Sequence, residues 1–563
     1  MTRDPRVIPF LRDLEARKLN RRRLLQASAA TAAAVAAPVA ATSRGARTAV
    51  AQSDPTQLVV VDDLPAQWFY LDPARIYEVN SQVGMQLVYE CLYHIPDATK
   101  LDDVVPLLAE DFPTYSEDGL TATIKLKPGV TFHNSGNEVT ADDWVWSWNR
   151  LKNVLGNPSY LFTDFFESVT AVDPQTLELK LVSPNVVLPA VLSTTVFSVT
   201  DSTVGQENGG SAEEGADATD MLTDWLNLGQ SIGTGPYMLT FWDPNGEIVI
   251  EKNPTYWGDE PSFERIIFRN VAGAASQMQL VELGEADIAV VIDPDQFEEI
   301  ANNPGLQILE GPSLALDFLA MHTSEEVGGP LASREARQAI AHAIDYDGII
   351  DGLSGGMAVR PAAPVPLGLL GAEEVEPLKY VTDIDRANEL WEASGNGPTE
   401  ITFTYDANGI SVTGVSTDVL AAKFQEDVER IEGVTVTLNP MDAAQRLTDF
   451  RESKLQFTYS GWAPDFADVH SYAEPFGREG SVAARRVAFA NDEIGPLLDQ
   501  GIVETDPEKR REIYTRIQEI MVEEAAFISI VQPTYAMPAT VSLVGAQPHG
   551  TYLLQLRYAS KEG

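Results

Sequence analysis

Leu120-Thr-Ala-Thr-Ile-Lys-Leu-Lys-Pro-Gly-Val-Thr-Phe-His133, with Val139-Thr-Ala-Asp-Asp-Trp144 close behind it, is the stretch on which the fold turns. Leu120, Ala122, Ile124 and Leu126 alternate with Thr121, Thr123, Lys125 and Lys127. That period of two puts one face of a strand in a core and the other in water. Pro128-Gly129 supplies turn chemistry, so the segment predicts a hairpin. Thr140 followed three residues later by an acid predicts a capped helix start, and Trp144, Trp148 and Leu151 continue at helical spacing.

The same mixture extends in both directions. Leu58–Val61 reads as a short buried strand, and strands recur at Ile248–Glu251 and Arg265–Val271. A helix is expected to end near Gly284, with a strand resuming over Ala286–Ile292. Asp201 to Asp220 is rich in Gly, Ser and Glu and reads as a flexible loop or domain junction. Beyond residue 311, Ala336, Ile340 and Ile344 form a helical stripe, and Thr382-Asp-Ile-Asp385 caps a helix carrying Leu390 and Trp391. Ile401–Tyr405 and Val434–Leu438 read as strands flanking a helix near 417–432, and Asp506-Pro507 starts a helix with Ile513, Ile517, Ile520 and Met521 on one stripe. Phe527–Val531 returns to strand. Strands and helices alternate without an internal repeat, which predicts an α/β protein of lobes joined by crossing segments.

Composition narrows the function classes. The chain has 563 residues, 83 acidic against 39 basic side chains and a net charge of −44, so it is large enough for several domains and a poor partner for nucleic acid. A single cysteine, Cys91, leaves no disulfide framework, and the six histidines have no ligand-like spacing, so no metal and no cofactor is expected. Residues 1–51 are a separate object, with ten Lys/Arg against three Asp/Glu. There Asn20-Arg-Arg-Arg-Leu-Leu-Gln26 precedes an Ala-rich run to Ala41, a pattern that resembles a twin-arginine export signal, and Ala49-Val-Ala51 offers a cleavage site. A short membrane anchor is the alternative, although about 20 apolar residues are needed to span a bilayer.

No reaction centre assembles. Gly352-Leu-Ser354-Gly-Gly356 fits a nucleophile elbow in letters only, because a helical stripe precedes it and a Pro-rich run follows it. Gly233-Thr-Gly235-Pro lacks the third glycine and the basic residue of a phosphate loop. Asp142-Asp143 and Asp102-Asp103 could pose as paired carboxylates, but helix N-termini attract acids such as 142–143, and His133 and His342 sit in apolar surroundings as structural histidines. The chain is therefore not read as an enzyme.

Several blocks in order resemble solute-binding protein family 5 of ABC importers, the oligopeptide/dipeptide/nickel-binding group. They run from Leu71-Asp-Pro73 and Val88-Tyr-Glu90 through Leu107-Leu-Ala-Glu110, the quoted 120–144 stretch, Gly233-Thr-Gly-Pro-Tyr237 and Glu251-Lys-Asn-Pro-Thr-Tyr-Trp-Gly258. Leu283-Gly-Glu-Ala-Asp-Ile288, the run Glu335 to Asp345, Gly461-Trp462 with Asp465, and Arg511-Glu-Ile-Tyr514 complete the series. The resemblance implies a two-lobed periplasmic-binding-protein fold of type II with an extra inserted domain and hinge closure over ligand. Mapped by blocks, 1–51 is the signal, 55–90, 230–312 and 525–563 form a discontinuous lobe I, 91–229 an inserted domain II, and 313–524 lobe III.

It also implies a monomeric extracytoplasmic component that captures peptides, or another amine-bearing solute, and delivers them to a membrane permease. Delivery of oligosaccharides is the alternative. In peptide-binding members an aspartate shortly after a Gly-Trp pair holds the ligand's ammonium. Asp465 in Ser460-Gly-Trp-Ala-Pro-Asp-Phe466 matches it, with Gly461 beside it and Trp462 and Phe466 as flat apolar walls. Taken alone, Asp465 reads rather as a loop acid after a proline, and Tyr405 reads as either a ligand contact or a strand-end core residue. The Asp-Pro that many members carry shortly afterwards is Asp468-Val469 here.

Overall fold

Two sheets organise the chain in the computed structural model, which describes residues 54–562 apart from 65–67, 69, 77–78, 99, 102, 292 and 294–295. The expected export signal, and Asp102 of the acidic pair, lie outside the described residues.

The larger sheet has twelve strands. From one edge the order is Val434–Met441, Thr399–Asp406, Phe457–Trp462, Leu316–Met321, Phe527–Thr540, Ile288–Ala289, Gln57–Asp62, Arg265–Asn270, Glu247–Lys252 and Tyr237–Trp242. Leu306–Pro312 and Ala358–Val359 join it by pairing with the long strand Phe527–Thr540. That strand connects the two halves: Phe527 to Val531 pair with Leu316–Met321, and Thr534 to Thr540 pair with Leu306–Pro312. A register shift between Asp317 and Phe318 marks where the partners change. Such irregularities bend a strand and raise its twist.

The smaller sheet is antiparallel, in the order Thr114–Tyr115, Thr121–Lys125, Thr176–Leu181, Phe166–Asp173. It corrects the expected hairpin. Thr121–Lys125 pairs with Thr176–Leu181 and, across the Ser116–Gly119 turn, with Thr114–Tyr115; the chain after Pro128-Gly129 makes only the single bridge Thr131–Glu138. The alternation holds at Ala122, Ile124 and Leu126, which are buried, while Leu120 is exposed at the strand's entry. The helix Ala141–Asn153 begins as the sequence predicts. The Asp143 carboxylate accepts from the Thr140 backbone N–H at 2.9 Å and from its hydroxyl at 2.8 Å, and Trp144, Trp148 and Leu151 are buried. The acids of 142–143 are thus helix-terminal, as read.

Asp201–Asp220 is also corrected: it is a structured segment. Asp201 caps the helix Ser202–Glu207 by accepting from the N–H groups of Thr203 and Val204, both at 3.0 Å. Asp220 is held by Arg150, whose guanidinium reaches Asp220 at 2.7 and 2.8 Å and Asp72 at 2.5 and 2.6 Å. All three side chains are essentially inaccessible. The paired carboxylates raise the Arg150 pKa against its desolvation, and Arg150 in turn holds Asp72 below the usual carboxylate range.

Packing separates several cores. One runs from Leu92 to Ala216 and includes Phe132, Trp144 and Phe197; a second combines Leu58–Tyr89, Leu222–Leu309 and Met537–Ala559; two more lie on the faces of the Leu316–Met321 half of the large sheet. Residues 526–531 pack with those last two. The glycines of Gly233-Thr-Gly235 serve close backbone approach: a Cβ at either would lie 2.1–2.2 Å from the carbonyl oxygen of Val88 or Leu87. Ser354 of the elbow-like motif donates to the Thr413 hydroxyl at 3.1 Å and follows the helical segment Gly348–Leu353.

Candidate ligand-binding site

Asp465 lies where two cavities meet. The loop after the strand Phe457–Trp462 carries it, and the helix Tyr160–Phe165 of the 92–216 core faces it. The Tyr160 hydroxyl donates to Asp465 Oδ1. Phe466 packs edge-on against Phe165 with ring centroids 5.5 Å apart, and the Val186 N–H donates to the Ile502 carbonyl at 2.8 Å. These contacts join the 92–216 unit to the segments around 460–502.

The first cavity, about 630 Å³, extends from Asp465 and Ala463 to Tyr535, Tyr552 and the segment 79–95. Its wall holds an enclosed ion pair. Glu90 accepts from Arg557 at 2.9 Å, Tyr256 at 2.8 Å, Trp257 at 2.9 Å and Thr234 at 2.9 Å. Four donors satisfy that carboxylate, so it anchors the wall. Burial, with Arg557 and Lys127 nearby, pushes His94 down to about 3, so it is neutral at physiological pH. Burial also raises Cys91, which is a buried thiol rather than a thiolate.

The second cavity, about 1080 Å³, lies on the other side of Asp465, between Tyr160–Phe165 and the segments 447–503. Gly461, Trp462 and Phe466 line it with Asp465. Trp462 is half-buried, its ring edge-on to Phe476 at 5.4 Å. Gly461 is required there, because a Cβ would meet Asp317 Oδ1 at 2.6 Å. Asp317 is buried, accepts from Tyr459 and from the Val412 N–H at 3.0 Å, and is pushed up to about 6 by burial.

The sequence-predicted residues divide. Asp465, Trp462 and Gly461 converge on the second cavity, and Asp465 also borders the first. Phe466 touches the cavity, but its ring is 5% exposed and belongs to the 92–216 core, so it fastens the two units together rather than presenting a flat wall. Tyr405 is a core residue, 6% exposed and stacked on Phe403, and lines neither cavity. Asp468, which stands at the departure from the usual Asp-Pro, pairs with Arg510 at 2.8 and 3.0 Å and accepts from the His470 N–H at 2.7 Å. The loop is therefore held by an ion pair in place of a proline. The sequence reading did not single out Tyr160, Glu90 or Arg557. Glu90 was visible as part of a block, but the others carry no local signal.

Residues 103–483 match the family described as bacterial extracellular solute-binding proteins, family 5 Middle. The chain belongs to this family. Among relatives of this family 5 solute-binding protein is a probable D,D-dipeptide-binding periplasmic protein of Escherichia coli K12, 25% identical over 479 residues, covering 84% of this chain and 88% of that one. A glutathione-binding protein of Shigella flexneri is 23% identical over 491 residues, with 84% and 89% covered. HbpA2 from Haemophilus parasuis superposes with a TM-score of 0.78 at 21% identity, covering 90% of this chain and 100% of that one. The Helicobacter pylori periplasmic protein DppA in complex with the peptide STSA gives 0.71 at 21%, covering 90% and 98%. The mixed α/β architecture is the two-lobed type II fold of periplasmic binding proteins. No helix among the described residues is long and apolar enough to cross a membrane.

Proposed function

We propose that this chain captures peptides, or another solute with a free amine, outside the cytoplasm and hands them to an ABC permease. The observation that carries the reading is the position of Asp465, a carboxylate between two cavities with one oxygen occupied by Tyr160 of the facing unit. An ammonium arriving at the carboxylate makes a charge-assisted hydrogen bond, stronger than a neutral one, in a site from which closure excludes water. The relatives named for dipeptides and glutathione support the same solute class. Export through the N-terminal signal, action as a monomer and the absence of a catalytic role belong to this reading. So does the division into a discontinuous lobe I, an inserted domain II over 91–229 and a lobe III from 313.

A thermal-shift panel tests it. Free di- and tripeptides are paired with N-acetylated copies, and cello- and xylo-oligosaccharides are included. A ligand at a hundred times its Kd stabilises the folded state by about 2.7 kcal/mol. Shifts with free peptides that acetylation abolishes are the expected result. Shifts with sugars alone would transfer the site to Trp462 and remove the ammonium role.

A further inference from the structure

Asp317 is a buried carboxylate with no cation beside it among the described residues. Its strand, Leu316–Met321, lies between Phe457–Trp462 and Phe527–Thr540, and Asp317 pairs with Gly461 on one side and Val531 on the other. The residue is 2% exposed. Burial, the Tyr459 hydroxyl and the Val412 N–H act on its carboxyl, and no charged side chain is among these influences. Both donors converge on Oδ2, the Val412 N–H at 3.0 Å, while Oδ1 lies over Gly461 where a Cβ would intrude. An acid buried without an opposite charge is costly to keep ionised.

Both donors lead to the first cavity. Tyr459 belongs to the strand whose continuation, Ala463 to Asp465, lines that cavity. Val412 lines it from the loop 408–416. This loop is closed on itself: the Ser411 N–H donates to the Val415 carbonyl at 2.9 Å, the Gly414 N–H to the Ser411 carbonyl at 3.0 Å, and the Val415 N–H to Ser411 Oγ at 3.1 Å. At its tip it is tied to the rest of the chain through Val412 to Asp317 and through Thr413, which accepts from Ser354 at 3.1 Å. Ile410 is 72% exposed and Val412 41%, so the loop buries little apolar surface. Segments held in this way open at the lowest free-energy cost in a fold.

Lifting the loop removes the Val412 donor and admits water to the carboxylate. With the loop down, burial outweighs the two donors and pushes Asp317 up to about 6; hydrated, it returns toward the ordinary value of about 3.9. The docked form therefore holds the proton more tightly, so docking gains as pH falls through 6 and weakens above it. The neighbouring groups keep their charge states. Tyr459 is held well above its usual range. Arg446, on the helix Ala443–Arg451, donates to the Tyr459 carbonyl at 3.3 Å and is paired with Asp406. Asp418 accepts from the Asn408 N–H at 3.2 Å at the base of the loop. The long strand presents Val531 to Asp317. His94, which lines the same cavity, stays neutral down to about pH 3.

We infer that Asp317 is a positioning residue for solute capture: through the Val412 N–H it holds the 408–416 loop against the first cavity, and uptake of one proton accompanies docking, so that the site closes more firmly in mild acid. The loop's part in capture rests on the proposed binding of peptides beside Asp465; its attachment to Asp317 does not.

Hydrogen–deuterium exchange of the full chain at about pH 5 and about pH 7.5, corrected for the intrinsic pH dependence of exchange, tests the attachment. Wild type is compared with Asp317→Asn, which mimics the protonated acid, and with Tyr459→Phe, which removes one donor. A carboxyl that moves from about 3.9 to about 6 makes docking about tenfold more favourable at the lower pH. Protection of peptides spanning 408–417 should therefore rise about tenfold in wild type, Asp317→Asn should hold the acid level at both pH values, and Tyr459→Phe should shift the midpoint to higher pH. Peptides of the 92–216 core serve as the reference for global opening. Equal loop protection at both pH values overturns the inference, as does a profile that persists in Asp317→Asn or is shared by the core peptides. Should Asp317→Asn fail to fold, the midpoint shift in Tyr459→Phe decides, and an unmoved midpoint overturns it. Calorimetric titration with trialanine then reads the link to capture: wild type should bind more tightly at the lower pH, by up to about tenfold beyond any change in Asp317→Asn. A loop profile without that gain in affinity overturns the positioning role. If trialanine binds no variant at either pH, the peptide reading fails, and the exchange profile alone upholds or overturns the attachment to Asp317.

Discussion

Arg150→Met is the sharpest test of how the 92–216 core is fixed to its neighbour. Arg150 bridges Asp72 and Asp220, and all three side chains are essentially inaccessible. Methionine fills similar volume but leaves two carboxylates buried without a cation. Breaking a buried ion pair from one side costs about 3–5 kcal/mol, because the remaining charge keeps its desolvation penalty. Two orphaned acids place the loss at the upper end, near 5 kcal/mol. The pH dependence has a defined sign. Asp72 is held low in the native protein, so its contribution is present above its unfolded value and is lost only as pH falls through the lower native one. In the variant the orphaned acids titrate higher and are neutralised by mild acid, so the gap between variant and wild type narrows as pH falls toward about 4.5. Urea unfolding followed by tryptophan fluorescence reads the effect, since Trp144 and Trp148 lie on the same helix as Arg150. Adding Asp72→Asn and Asp220→Asn to Arg150→Met should recover most of the loss. A single-variant cost below about 1 kcal/mol, or a gap that does not narrow in acid, would refute the argument that desolvated carboxylates set the penalty.

Three further outcomes follow from the site. Asp465→Asn should weaken binding of free peptides by roughly tenfold or more, towards the level of their N-acetylated copies, as read by calorimetry. Asp317→Asn should be indistinguishable from wild type in acid near pH 4 and more stable by about 2–3 kcal/mol above pH 7. The sign follows because an acid raised to about 6 contributes stability below its unfolded pKa and loses it as pH rises through 6; equal stability of the two proteins above pH 7 in denaturant titrations would count against it. Gly461→Ala should cost about 1–3 kcal/mol in urea unfolding, through the overlap of its Cβ with Asp317 Oδ1.

Much of the fold was legible where local chemistry and tertiary structure agree. The Thr140 box, the stripe of Ala336 and Ile340 (Ile344, read with them, lies just past the helix end in extended backbone) and the Asp506 cap each declare themselves within a few residues. The reading failed where the deciding partner is remote. Asp201–Asp220 has few large apolar groups, so its composition resembles a loop; its order comes from Asp220 meeting Arg150, 70 residues away. The strand Phe527–Thr540 was seen only to Val531, because Pro533 and Pro538 interrupt its pattern, yet both lie in ladder positions opposite Ala358 and Ile308. At the site, Asp465, Gly461 and Trp462, expected from a motif, line one cavity. Tyr405, read as either a ligand contact or a core residue, lies in the core, and a strand-end tyrosine reads alike in sequence whether it faces a cleft or a core.

The long strand Phe527–Thr540 also sets an order of events during synthesis. Leu306–Pro312 and Leu316–Met321 emerge more than 200 residues before the strand that covers both of them. Until then each carries an open ladder edge, a template for pairing with other chains. Contacts of such sequence separation form slowly, because the loop must close before it is rewarded. A growing chain therefore cannot complete its central sheet, and holdase chaperones should engage it chiefly in that interval. Ribosome-bound chains stalled before residue 527 should accordingly be protease-sensitive around residues 306–321, and the same bonds should become resistant once the chain has passed residue 540.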